Sequence, residues 1–208
     1  MKRSSLGIWS ISFLVSSLLA TNVFAYGTGI SSYPLPAKTQ ALSVEVTNVM
    51  SNGSGTGFQG RYSNKLNEKL LVDGGVGFST GQRSRRAFAA ADYEIFPDYK
   101  SQPKVSARPF IEAANEYDSR RTILGAAPVV SKGFSVSDKE LFGHISLPVG
   151  LNLNSANQQY QFVSNVAFGV SGQLPIEGYK NLIGHLEANI NLKNSFSGFF
   201  TGVTYPFN

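Results

Sequence analysis

Alternate residues from Leu182 onward are apolar or glycine: Leu182, Gly184, Leu186, Ala188, Ile190 and Leu192. Between them stand Ile183, His185, Glu187, Asn189, Asn191 and Lys193, nearly all polar or charged. Period 2 held over about a dozen residues predicts a strand with one oily face and one wet face. After Asn194 and Ser195 a last run closes the chain, with Phe199, Val203, Tyr205 and Phe207 on one face.

The alternation recurs from residue 41. Leu42, Val44, Val46 and Met50 oppose Ser43, Glu45 and Thr47; Ser51, Asn52, Gly53, Ser54 and Gly55 then read as a turn. Phe58, Gly60 and Tyr62 oppose Gln59, Arg61 and Ser63 in a shorter strand, and the polar residues 64–68 turn the chain again. Leu70, Val72, Gly74, Val76 and Phe78 oppose Lys69, Asp73, Gly75, Gly77 and Ser79, before a turn at Gly81, Gln82, Arg83 and Ser84. Ala87, Ala89, Ala91, Tyr93 and Ile95 face away from Arg86, Asp92 and Glu94. After a loop over 97–103, Val105, Ala107, Pro109, Ile111, Ala113 and Tyr117 oppose Lys104, Ser106, Arg108, Glu112 and Glu116.

The signal weakens over 118–137. Residues 122–130 are apolar enough for a strand, but Pro128, which cannot donate to a ladder, lies among them. Lys132 and Gly133 read as a turn or a bulge. The cleanest alternation follows: Leu141, Gly143, Ile145, Leu147, Val149, Leu151 and Leu153 oppose Glu140, His144, Ser146, Asn152 and Asn154. A turn at Ser155, Ala156 and Asn157 leads to Tyr160, Phe162, Val166, Phe168 and Val170, opposed by Gln159, Gln161, Asn165 and Ser171. Residues 174–180, with Pro175 and Gly178, form a loop before the closing pair. No stretch of helix length carries a 3.6 period beyond the N-terminus, and no second domain is visible.

The first residues differ from the rest. Lys2 and Arg3 precede an apolar, serine-rich stretch over 6–20, and Val23 and Ala25 are spaced as a cleavage site. This predicts a secretory signal peptide over 1–25, cut after Ala25. The apolar stretch is too short and too rich in serine for a comfortable transmembrane helix. Residues 26–40, with Pro34 and Pro36, read as an irregular lead-in, and 41–208 as the domain proper. Loss of Lys2 and Arg3 takes Lys and Arg from 18 to 16 against 13 acids, so the formal charge falls from +5 to +3. The charges are mixed in sign and spread along the chain. The clusters at Arg83, Arg85 and Arg86 and at Arg120 and Arg121 read as solvated loop charges. Behind a secretory signal, nucleic acid is not an expected partner. The chain has no cysteine, which excludes a disulfide framework and a lipoprotein anchor.

The strand-like runs, mostly about 10–14 residues, exceed the usual length of about 5–6 in soluble sheets and match the roughly 9–11 that a tilted strand needs to span a bilayer. Backbone groups in lipid must all be paired, so such a sheet closes into a barrel. The expectation is an all-β, antiparallel, up-and-down transmembrane barrel. Counting 122–130 gives about ten strands, an even number as in bacterial single-chain barrels; eight results if both 122–130 and 58–62 are loops. Three features favour apolar faces turned outward. Aromatics collect near strand ends at Phe78, Tyr93, Tyr117, Tyr160, Tyr205 and Phe207. The apolar faces are rich in Gly and Ala, a poor soluble core. The polar faces carry both signs: Glu45, Arg61, Asp73, Arg86, Asp92, Glu94, Arg108, Glu112 and Glu187, with His144 and His185. That set is a candidate charge-paired lumen.

The terminal sequence Gly202, Val203, Thr204, Tyr205, Pro206, Phe207 resembles the C-terminal signal of bacterial outer-membrane barrels, with Asn208 added after the final aromatic. The resemblance implies an outer-membrane location, a lipid surround, and recognition of Gly202, Tyr205 and Phe207 by the barrel-assembly machinery.

A barrel of about eight to ten strands has an interior that side chains nearly fill, whereas open pores belong to about 16 strands or more. The expected role is therefore structural or interactive, or a narrow solute path, rather than that of a wide porin. Two alternatives stay open. A soluble periplasmic barrel would turn the same apolar faces inward around a ligand. An outer-membrane lipid or peptide hydrolase would use His144 or His185 with Ser146 and Glu187, which share polar faces with them. No metal cluster, phosphate loop or dinucleotide fingerprint is present, so no cofactor is expected; Gly53, Ser54, Gly55, Thr56 and Gly57 read as a turn.

Overall fold

A computed structural model describes residues 29–30, 32–50, 55–79, 83–116, 119–136, 139–154, 159–176 and 181–208. The leader predicted over 1–25, the turn at 155–157 and Tyr117 lie outside them. The strands are β1 (Gln40–Val49), β2 (Gly55–Lys65), β3 (Leu70–Ser79), β4 (Arg83–Phe96), β5 (Lys104–Glu116) and β6 (Ser119–Val136). They continue with β7 (Lys139–Ser146), β8 (Val149–Asn154), β9 (Gln159–Gln173), β10 (Ile183–Lys193) and β11 (Gly198–Phe207).

All pairings are antiparallel, and they join chain neighbours except that β8 also pairs with β6, β7 with β9, and β11 returns to β1. β1 and β2 close the ring: Lys65 N donates to Thr39 O at 2.9 Å and Lys38 N to Lys65 O at 2.7 Å. β7 and β8 form one stave. Val129↔Ser146 and Ala126↔Val149 keep a single register against β6, as Ser146↔Ala167 and Val149↔Ser164 do against β9. The result is a closed barrel of ten staves.

Pro148 explains the gap between β7 and β8. It has no N–H, and one position away in the register stands a second proline, Pro128 of β6, which lies opposite Leu147. Each keeps its acceptor bond, Leu147 N donating to Pro128 O and Asn165 N to Pro148 O, both at 3.2 Å. Two ladder donors are lost, but the register is not, because the carbonyl half of each pair survives. Pro128 therefore does not weaken its strand into a loop: β6 is the longest, with 18 residues. Lys132 and Gly133, expected as a turn or bulge, continue it.

Two other boundaries move. Gly55 and Gly57 belong to β2 rather than to a turn. At Gly57 a Cβ would sit 2.5 Å from Phe78 O, so glycine there permits a close approach to β3. Arg83 and Ser84, expected in a turn, begin β4.

The faces are inverted relative to a soluble barrel. Val44, Phe58 and Leu124 point outward at 66%, 64% and 66% exposure, while Glu45 and Arg108 point inward at 1% and 2%. Leu42, Val76, Ile145, Leu151, Leu186 and Ile190 continue the exposed apolar band. Exposed Phe58, Phe78, Tyr160 and Phe162 flank one rim, and Tyr62, Tyr93 and Tyr205 the other. An apolar belt between aromatic girdles is the surface that a hydrocarbon layer solvates.

The start of β1 and the end of β11 meet at one mouth. There β6 overshoots β5, whose last partner is Lys104↔Ser131. The β4–β5 loop caps the overhang: Gly133 N donates to Asp98 Oδ2 at 2.8 Å, and Lys132 Nζ to Asp98 Oδ1 and to the carbonyl of Gln102, the latter at 3.3 Å.

Candidate functional site

The lead-in does not stop at the mouth. Lys38, at φ 67°, reverses the chain before β1. Upstream, Tyr33 meets Phe142 edge to face at 5.3 Å. Ser32 Oγ donates to Phe142 O at 2.6 Å and lies 2.8 Å from Ser171 Oγ. Gly29 and Ile30 are buried inside the barrel, and Ile30 packs on Ala127 and Val129 of β6.

Around them the inward positions form a charged layer. Glu45 is held by four groups: Arg61 Nε at 3.0 Å, Arg61 Nη2 at 3.1 Å, Gln59 Nε2 at 2.6 Å and His185 Nε2 at 3.4 Å. Arg61 Nη1 also lies 3.9 Å from Asp73. Asp73 takes two parallel bonds of 2.8 Å from the Arg108 guanidinium, the bidentate geometry that suits Arg to carboxylates. Arg86 pairs with Glu112 at 3.4 Å. Arg61 and Arg86 stand over the ring of Phe88, at 5.4 and 5.0 Å from its centre. On the opposite wall, Glu187 lies 3.2 Å from His144 Nε2 and accepts from Asn189 Nδ2 at 2.7 Å. Asn189 in turn accepts from Asn165 Nδ2 at 2.9 Å.

Glycines set this reach. His185, Gly202 and Glu45 lie level on β10, β11 and β1. Glu187, Gly169 and His144 lie level on β10, β9 and β7. Arg61, Gly75 and Phe88 do the same on β2, β3 and β4. In each trio the long side chains span the middle strand, over a position where a Cβ would clash: 2.7 Å from His185 at Gly202, 2.7 Å from His144 at Gly169, and 2.6 Å from Phe88 at Gly75.

Of the candidate lumen residues, Glu45, Arg61, Asp73, Arg86, Asp92, Arg108, Glu112, His144, His185 and Glu187 are buried. Asp92 sits near the terminal mouth, 3.4 Å from Lys104 Nζ. Glu94 lies there too, half-buried, lining a cavity of ≈ 320 Å³ with Lys65 and Phe142, apart from the central layer. Gln59, Asn165 and Asn189 are members that a search for charges passes over, although their place in the alternation gives them the same face. The backbones of Gly29 and Ile30 carry no signal of that kind. Arg61 Nη1 donates to Gly29 O at 2.6 Å, and Ile30 N to Glu187 Oε2 at 2.6 Å.

No hydrolytic trio forms at the histidines. His144 Nε2 faces Glu187, and Ser146 Oγ has no protein hydrogen-bond partner. Among the described residues no group of three His, Cys, Asp or Glu side chains could hold a metal ion. In the terminal hexapeptide Gly202 faces the lumen, while Tyr205 is exposed on the outer face, paired with Leu42, and Phe207 pairs with Gln40.

No family model matches the chain, and no curated protein is similar to it in sequence. Among solved structures it is similar to a designed protein described under "De novo design of transmembrane beta-barrels", at 14% identity and a TM-score of 0.41, over 84% of this chain and 100% of that one.

Proposed function

We propose that the chain is an outer-membrane β-barrel of structural or interaction role, exported behind a cleaved leader, with a charge-paired lumen that is closed at rest. The inversion of faces carries this reading: large apolar side chains cover the outside, and ionised groups fill the inside. A soluble ligand-binding barrel requires the opposite arrangement. Pairing supports a packing role for the lumen, because most of the buried Asp, Glu and Arg side chains meet an opposite charge at 2.8–3.4 Å. Exposed Tyr205 on the last strand supports recognition by the barrel-assembly machinery, with outer-membrane lipid as the lasting partner and nucleic acid as none. The proposal assigns no catalysis, since neither histidine is hydrogen-bonded to a serine: their Nε2 atoms face Glu187 and Glu45.

Fractionation tests it. The protein should stay in the outer-membrane pellet after carbonate or urea washing, and should be strand-rich by circular dichroism in detergent. In planar bilayers it should be silent or open rarely. Release into the soluble fraction would overturn the reading.

A further inference from the structure

Side chains alone do not fill the lumen. About eight staves enclose a space that inward side chains can pack, and ten enclose more. This barrel widens the gap by placing Gly57, Gly75, Gly125, Gly169 and Gly202 on inward positions. Gly29 and Ile30 occupy the centre instead, with a cavity of ≈ 50 Å³ beside Ile30.

The seat is specific in its chemistry. A guanidinium takes the Gly29 carbonyl, and a carboxylate takes the Ile30 N–H. Both wall groups are buried and belong to the charged layer. At Gly29 φ is +50°, a conformation that favours glycine, and a Cβ would lie 2.5 Å from Arg61 Nη2 and displace the guanidinium that binds the segment. Ile30 fits the apolar notch of Ala127 and Val129. Outside, residues 32–37 cross the terminal mouth between cavities of ≈ 450 and ≈ 320 Å³.

We propose that the charged layer is a binding seat for an extended peptide, a glycine followed by a branched aliphatic, and that the chain's own N-terminal segment occupies it as a plug. Withdrawal of that segment opens a polar path through the barrel. The inference rests on the reading of the chain as a membrane barrel.

Planar-bilayer recording of the full chain and two variants tests it. Ile30→Asp sets a third carboxylate beside Glu187 and Glu112, which line the same cavity as Ile30, and should turn a silent barrel into a conducting one. A synthetic peptide with the sequence of residues 29–35 should close that variant, and its reversed sequence should not. A folded, membrane-retained Ile30→Asp as silent as the parent would overturn the proposal, as would a peptide without effect. If Ile30→Asp fails to insert, Ile30→Cys with Ala127→Cys decides, since the native chain has no other thiol. The pair should cross-link in the membrane and stay silent when oxidised, with conductance rising on reduction. No cross-link, or no change on reduction, would overturn the plug. Loss of membrane retention by the parent itself would instead overturn the membrane reading.

Discussion

His185 Nε2 lies 3.4 Å from Glu45 Oε1, although the two residues belong to strands that are not neighbours. Gly202 on the strand between makes the contact possible. An added Cβ there would lie 2.7 Å from Glu45 Cγ, from His185 Cε1 and from Val44 O, the last of which is fixed backbone. Gly202→Ala should therefore destabilise the barrel by about 1–3 kcal/mol, the usual range for overpacking. Gly60→Ala, where nothing lies within 4 Å, is the control and should be nearly neutral. Urea unfolding in detergent or vesicles measures both; equal losses would refute the bridging role.

Arg108 and Asp73 offer a different test. Both are buried, and the guanidinium makes two parallel bonds to one carboxylate. Asp73→Ala leaves a buried charge with its main partner gone, a change that costs about 3–5 kcal/mol. Removing both charges with Asp73→Ala and Arg108→Met should recover much of that loss. A double-mutant cycle on unfolding free energies measures the coupling. Additive losses would mean that lumen water replaces the pair.

The alternation exposed this lumen before any coordinates because period 2 fixes the face of every residue once the register is known. Glu45, Arg108 and Glu187 needed no other information to be placed together. What the sequence hid has two physical sources. Pro128 and Pro148 each look like strand breakers, yet each keeps its acceptor bond, from Leu147 N and Asn165 N respectively, and the register holds. The plug was hidden because its binding groups are the backbone carbonyl of Gly29 and the N–H of Ile30, which every residue type shares apart from proline's missing donor. Gly202 carries a third lesson. Its place in the terminal motif pointed outward to assembly, while its structural demand comes from the lumen.

The Asp98 cap responds to pH. Slight burial pushes the carboxyl up, but hydrogen bonds from Lys132 and Gly133 N, with the ammonium's charge, outweigh this and hold it below its ordinary value. A depressed pKa means stability that is present above the unfolded value, about 3.9, and lost as pH falls through the folded one. The pair is partly exposed, so the effect is modest, about 0.2–1 kcal/mol. Hydrogen exchange of residues 97–103 should rise below about pH 4 in the native protein. Asp98→Asn should show the faster exchange already at neutral pH, with little further change on acidification. A native loop whose protection ignores pH would remove the cap from the account.

The outer face gives the sharpest discrimination between a lipid surround and water. Val44 is 66% exposed and Leu186 52%, both near the middle of their strands. On a soluble protein an exposed Val→Arg change typically falls within about ±0.5 kcal/mol. On a lipid-facing strand, arginine at the bilayer midplane costs about 2–4 kcal/mol, falling to about 0–1 near the interfaces. Val44→Arg and Leu186→Arg should therefore lower unfolding free energy in vesicles by the larger amount, and Leu42→Arg, one turn of the alternation nearer the rim, by less. The gradient with depth is the decisive quantity, since a packing defect would not follow position along the strand. Uniformly neutral arginines would return the apolar band to solvent and the barrel to the periplasm.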